Sequence, residues 1–212
     1  GLRCYIEQMK ELMHYAHEEG IQWLTIEPMS CLAEPPTLPQ EMADMAEELH
    51  AYHQANAENT SKIGYCSDIS HGYWNADQSE CISHIDLFKA SLPWLYEVHL
   101  KNTDQNFGST FGFEPANVEK GIVDLGEFRR IIDENEAIIP VDRLHCYLEI
   151  GGPKLGRDYS DHQLEEQLRA SLAHIQERFM EAGEPSETIA KRAPVTAVTA
   201  SSDKVAIAPS MM

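Results

Sequence analysis

Four short apolar runs divide the chain: residues 22–27, 63–69, 94–101 and 144–150. Each is bounded by turn-forming residues and reads as a β-strand. Between them the apolar positions recur every three to four residues. Ile6, Met9, Met13 and Ala16 share one face of a helix over 4–19, and Gly20 suits its C-cap side. Met42, Met45, Leu49 and Tyr52 do the same over 40–56, and Ile82, Ile85 and Phe88 over 77–91. A shorter helix is predicted over 125–136. A last helix over 161–182 carries the stripe Leu164, Leu168, Leu172, Ile175 and Phe179. Pro28, Pro35, Pro36 and Pro39 mark one loop; Gly108, Gly112 and Gly121 mark a long one over 102–123.

The order is therefore one helix followed by four βα units, which predicts parallel strands joined by crossovers. The strands are short and mostly apolar, as expected where both sheet faces are covered. Residues 184–212 are rich in Ala, Ser, Thr, Pro and Val without a lasting period, and read as a flexible tail after a folded region over 1–183.

All four strands end on or near a metal-ligand type: Glu27, Asp68, His99 and Glu149. The successive spacings of 41, 31 and 50 residues are each about one βα unit or a little more. In parallel α/β folds reactive groups gather at the C-terminal strand ends, so neighbouring strands would present one ligand each. Each residue alone has an ordinary reading: a helix-capping glutamate, an Asx-turn aspartate, a satisfied core histidine. The ordinary reading must be invoked four separate times, and that coincidence favours a site. Three carboxylates and an imidazole suit Mn2+, Mg2+ or Co2+ better than a structural zinc, which prefers thiolate.

Composition narrows the partners. The net charge of −19 repels phosphate backbones and anionic membranes, so neither nucleic acid nor membrane is expected. No apolar run spans a bilayer, the N-terminus is not signal-like, and a helix is already under way at residue 1, so a cytoplasmic protein is expected. The five cysteines form no C-x-x-C pair, and Cys66 and Cys146, within strands, read as reduced core thiols.

The segments "TIEP", "DISH", "EVHLKN" and "YLEIGG" carry a resemblance. The chain is similar over about residues 1–182 to the C-terminal part of xylose isomerase-like TIM barrels, specifically the ketose 3-epimerases acting on free or phosphorylated sugars. The resemblance implies a (β/α)8 barrel represented by about its last four βα units. It implies one divalent metal, Mn2+ foremost with Mg2+, Co2+ or Zn2+ as alternatives, held by Glu27, Asp68, His99 and Glu149. It also makes Glu27 and Glu149 the acid/base pair and places His71, three residues after Asp68, on a substrate oxygen. Glu34, in the loop after Glu27, matches a second family glutamate or is an ordinary loop carboxylate. The family commonly has an arginine about six residues beyond the metal histidine; Gln105 stands there, with Lys101 and Asp104 the nearest charged residues.

The loop "GGPKLGRDYS" follows the last strand, where TIM barrels often hold phosphate; Lys154 and Arg157 would bind it, or the loop is simply solvated. Trp74 can wall a sugar pocket, and Trp94 either does so or packs in the core. The activity implied is epimerisation at C3 of a ketose or ketose phosphate, tetrulose or pentulose phosphate favoured, through an enediolate. The alternatives are an aldose–ketose isomerase such as a hydroxypyruvate isomerase, and a non-catalytic fragment that binds metal or only assembles. An endonuclease of the same superfamily is disfavoured by the acidic charge. Four strands leave open sheet edges, which predicts an oligomer.

Overall fold

The computed structural model describes residues 1–79, 81–150 and 163–180. Helix α1, Leu2–Glu18, buries Ile6, Met9, Met13 and Ala16, the face predicted for it. It ends in a Schellman motif: Gly20, at φ 77°, donates to the His17 carbonyl and Ile21 donates to Ala16. Strand β1, Trp23–Ile26, is followed by α2, Pro39–Ala55. Proline begins α2, and the Glu41 carboxylate accepts from the amides of Thr37 and Leu38. Strand β2 is Lys62–Asp68. A small antiparallel hairpin, β3 Tyr73–Trp74 with β4 Cys81–Ile82, precedes α3, His84–Ser91. Strand β5, Leu95–Leu100, leads to α4, Pro115–Lys120, and α5, Leu125–Glu134. Strand β6 is His145–Leu148, and α6 is Leu164–Ile175, extended by a π-turn over Gln176–Met180.

The main sheet has the order β1-β2-β5-β6, every pair parallel. Strands consecutive along the chain apart from the hairpin lie side by side, which is the arrangement of a βα-barrel wall. One apolar cluster packs α1 and α2 on β1 and β2 through Met13, Met42, Met45, Leu49 and Tyr65. A second packs α3, α5 and α6 on β5 through Phe88, Leu95, Val98, Phe128 and Ile175. Each such side chain contributes about 1.5–3 kcal/mol on full burial.

The strands alternate more than their apolar sequence suggests. Ile26, Tyr65, Val98 and Leu148 face the helices. The other face carries Thr25, whose hydroxyl donates to Glu97 Oε1 at 2.7 Å, and the ligand-type residues at the strand ends. A register shift between Tyr65 and Cys66, opposite Leu95 and Glu97, leaves Tyr96 unpaired. Tyr96 stacks on Trp23, with ring centroids 4.4 Å apart. Gly64 permits this, because a Cβ there would lie 2.7 Å from Tyr96 Cβ.

Three sequence expectations are corrected. The helix expected over 77–91 starts at His84, because "NADQS" forms a turn in which Asp77 accepts from the Ser79 amide. Ser83 then caps the helix by accepting from the Asp86 amide. The long loop contains α4, anchored by fully buried Asn102, whose side chain donates to Asn117 O and accepts from the Val123 amide. Helix α6 buries Ile175 and Phe179 of its expected stripe but turns Leu164 and Leu172 outward, and Ser171 faces the core instead. Ser171 is there because its hydroxyl accepts from the Phe113 amide, fixing the rotation of the helix. The proposed tail over 184–212 and the loop holding Lys154 and Arg157 lie outside the described residues.

Candidate metal centre

The four strand-end residues converge. One ligand atom each from Glu27, Asp68, His99 and Glu149 lies within 4.8 Å of every other. The positioning is done by backbone. Asp68 and His99 are register partners across β2 and β5. The Glu149 amide donates to the Leu100 carbonyl, carrying the β5–β6 ladder one residue past the strand. Asp68 Oδ1 accepts from the Ser70 amide at 2.8 Å, which turns Oδ2 into the site.

His99 Nδ1 lies 3.1 Å from Glu149 Oε2 and 3.5 Å from Glu27 Oε1. Burial depresses its basicity, but its contacts with Cys66, Glu149 and Glu27 outweigh this and push the imidazole up to about 12. The His99 imidazole 3.1 Å away holds the Glu149 carboxyl down at about 2, against its own burial and with help from Lys101. Cys66 shares the inner face with Asp68 and is buried, which pushes its thiol up to about 12. It is thus a buried, reduced thiol as expected, but beside the site rather than in the helix-facing core.

His71, the predicted substrate contact, is buried at the same place. Its Nδ1 bonds the Pro28 carbonyl at 2.8 Å, and a carbonyl can only accept, so Nδ1 carries the proton. Its Nε2 lies 3.4 Å from Asp68 Oδ2. Glu34 is exposed in a turn where its amide donates to the Cys31 carbonyl, and it is not in the four-residue group. Trp74 is exposed on the hairpin, its Nε1 donating to Gln105 O. Trp94 packs edge-on to Tyr65 at the start of β5, the end away from the site. Asp104 is used locally, accepting from Asn106, Gly108 and Ser109.

Lys101 belongs to the site in a way its spacing from His99 foreshadows. Two residues apart on a strand, the two side chains share a face. Its ammonium lies 2.5 Å from Asp68 Oδ2, 3.3 Å from His71 Nε2 and 3.6 Å from Glu149 Oε2. Burial opposes its charge, yet Asp68 and Glu149 hold its pKa above the ordinary lysine value.

Asp68 Oδ2 and His99 Nδ1 are buried without a well-formed hydrogen bond, although Lys101 and Glu149 approach them closely. The distances are short and the angles poor. Buried polar atoms normally find an aligned partner. Two orphaned donor atoms beside two further carboxylates fit a hard divalent cation.

The profile of the family described as "Xylose isomerase-like TIM barrel" matches residues 1–178. Among solved structures, the chain is similar to a Rhodospirillum rubrum ATCC 11170 protein provisionally designated a xylose isomerase, at 19% identity and a TM-score of 0.55. That match covers 85% of this chain and 53% of the other, so this chain spans about half the length of that structure. No curated protein matches the chain. No helix among the described residues is long and apolar enough to cross a membrane.

Proposed function

Because the chain belongs to the xylose isomerase-like TIM barrel family, which includes sugar isomerases and epimerases, we propose that it carries the metal centre of a ketose 3-epimerase. The observation behind this reading is the convergence of Glu27, Asp68, His99 and Glu149, from four successive strands of one sheet, within 4.8 Å. These four residues would hold one divalent ion, Mn2+ foremost. When bound, such an ion supplies a Lewis acid beside a substrate carbonyl.

The chain's own residues account for the remaining chemistry. Inverting a carbon beside a carbonyl needs a proton taken from one face and another delivered to the opposite face. Glu27 follows β1 and Glu149 follows β6, the two outer strands of the sheet, with Asp68 and His99 between them. The two glutamates are therefore assigned as the pair that moves the proton. His71 is assigned to a substrate oxygen: with Nδ1 held by Pro28 O at 2.8 Å, its Nε2 would take the hydrogen bond of a substrate hydroxyl in exchange for the Lys101 ammonium 3.3 Å away. The substrate proposed is a ketose or ketose phosphate; Lys154 and Arg157 are assigned to the phosphate and Glu34 to a sugar hydroxyl.

The test is proton exchange in deuterated water with Mn2+ and a panel of ketoses and ketose phosphates. Loss of the C3 proton signal, abolished by EDTA and by Glu149→Gln, is the expected result. Exchange at C1 would replace the epimerase by an aldose–ketose isomerase. No exchange from a chain that binds Mn2+ would overturn catalysis by this chain.

A further inference from the structure

We propose that Lys101 is a counter-cation built into the metal centre: it balances the site's charge and weakens its hold on the ion. The inference rests on the metal-centre reading above. Three carboxylates with a divalent ion leave one negative charge. One ammonium among them brings the loaded site to neutrality.

Lys101 is placed for that role and for no solvent-facing one. It is 6% exposed, whereas lysine is almost never fully buried unless paired. Its ammonium lies among three groups that favour its charge: Asp68 Oδ2 at 2.5 Å, His71 Nε2 at 3.3 Å and Glu149 Oε2 at 3.6 Å. Two of those groups, Asp68 and Glu149, are residues that would hold the ion. His71 is fixed in turn through Pro28 O at 2.8 Å, so its lone pair stays aimed at the ammonium. The outcome is a cation pinned beside a cation site.

A purely structural lysine and a counter-cation predict opposite signs. If Lys101 only shapes Asp68 and Glu149, removing it scatters the ligands and weakens metal binding. If it balances charge, removing it leaves the same carboxylates with one less positive neighbour. Unit charges about 4 Å apart at a partly buried site interact strongly enough for a tenfold change in affinity.

The experiment is calorimetric titration of MnCl2 into the full chain, comparing wild type with Lys101→Met, Lys101→Gln and Lys101→Arg. The expected result is about tenfold or greater tightening in Lys101→Met and Lys101→Gln, with Lys101→Arg close to wild type. Equal or weaker binding by folded Lys101→Met or Lys101→Gln overturns the proposal while leaving the metal centre standing. A neutral variant that folds only when Mn2+ is added supports it; one that stays unfolded with Mn2+ counts against it. A wild type that binds no Mn2+ removes the metal-centre reading itself, and the role of Lys101 with it.

Discussion

Replacing Asp68 by asparagine isolates one charge at the centre of the site. The amide oxygen of asparagine can still accept from the Ser70 amide, now 2.8 Å from Asp68 Oδ1, so the local turn survives. What is lost is the carboxylate 2.5 Å from the Lys101 ammonium, in a pair whose side chains are 0% and 8% exposed. Removing one partner of a buried ion pair typically costs about 3–5 kcal/mol. Two features reduce that here. Lys101 keeps Glu149 at 3.6 Å and His71 at 3.3 Å, and the substitution relieves repulsion among the three carboxylates. We therefore expect a loss of about 2 kcal/mol in the metal-free protein.

The assay is urea denaturation of both chains with EDTA present. At an m-value of about 2 kcal/mol/M, the midpoint of Asp68→Asn should fall by about 1 M. Asp68→Ala also forfeits the Ser70 hydrogen bond and should lose about 1 kcal/mol more. With Mn2+ at a hundred times its dissociation constant, wild type should gain about 2.7 kcal/mol that the variants do not. An unchanged or raised midpoint for Asp68→Asn in EDTA would refute the reasoning: carboxylate repulsion would then exceed the Lys101 pairing.

The other predictions concern acid, thiols and the long loop. The Glu149 carboxyl is held at about 2, below the usual 4.5, so its contribution is complete above pH 4.5 and is lost as the pH falls through about 2. Between those limits metal-free wild type should lose about 2 kcal/mol relative to Glu149→Gln, discounted for a side chain 28% exposed, as read from urea midpoints. A thiol reagent at pH 8 should modify the exposed Cys4, Cys31 and Cys81 in the native chain. Cys66 and Cys146, both pushed up to about 12 by burial, should react only after unfolding. Gly121→Ala would drive a Cβ into the Asn102 carboxamide and should cost about 1–3 kcal/mol, seen as a lower melting temperature.

The parts of this molecule legible in its sequence are those governed by short-range periodicity. The buried face of α1 follows from spacing alone, and so do the four parallel strands. The four-residue group was legible for the same reason, because a parallel sheet brings every strand end to one rim. Lys101 was half legible: its distance of two from His99 puts it on the site face, but only the register of β5 against β2 shows that it reaches Asp68. What the pattern missed is set by contacts across the chain. The hairpin of β3 and β4 is docked through Trp74 on Gln105 O, and Gly72 is needed because any Cβ there would overlap the Phe107 ring. The rotation of α6 is decided by one serine hydroxyl meeting an amide 58 residues away.

These misses bear on the chemistry as well as the fold. The loop after β5 bends at Phe107, at φ 56°, and lies against the segment after Asp68. Asp104 and Asn102 are consumed in holding that loop, so neither is free to bind substrate. Of the charged residues near the point where the family commonly has an arginine, Lys101 is the one whose charge reaches the site, and it does so from inside the ligand cluster. If Lys101 balances the metal's charge, it is already occupied by Asp68, Glu149 and His71, and substrate recognition at this rim must come from elsewhere. That assigns specificity to the loops over the strand ends and separates it from the metal centre. Variants of the loops should then change which sugar exchanges its proton while leaving Mn2+ affinity as it is, and variants of Lys101 should do the reverse.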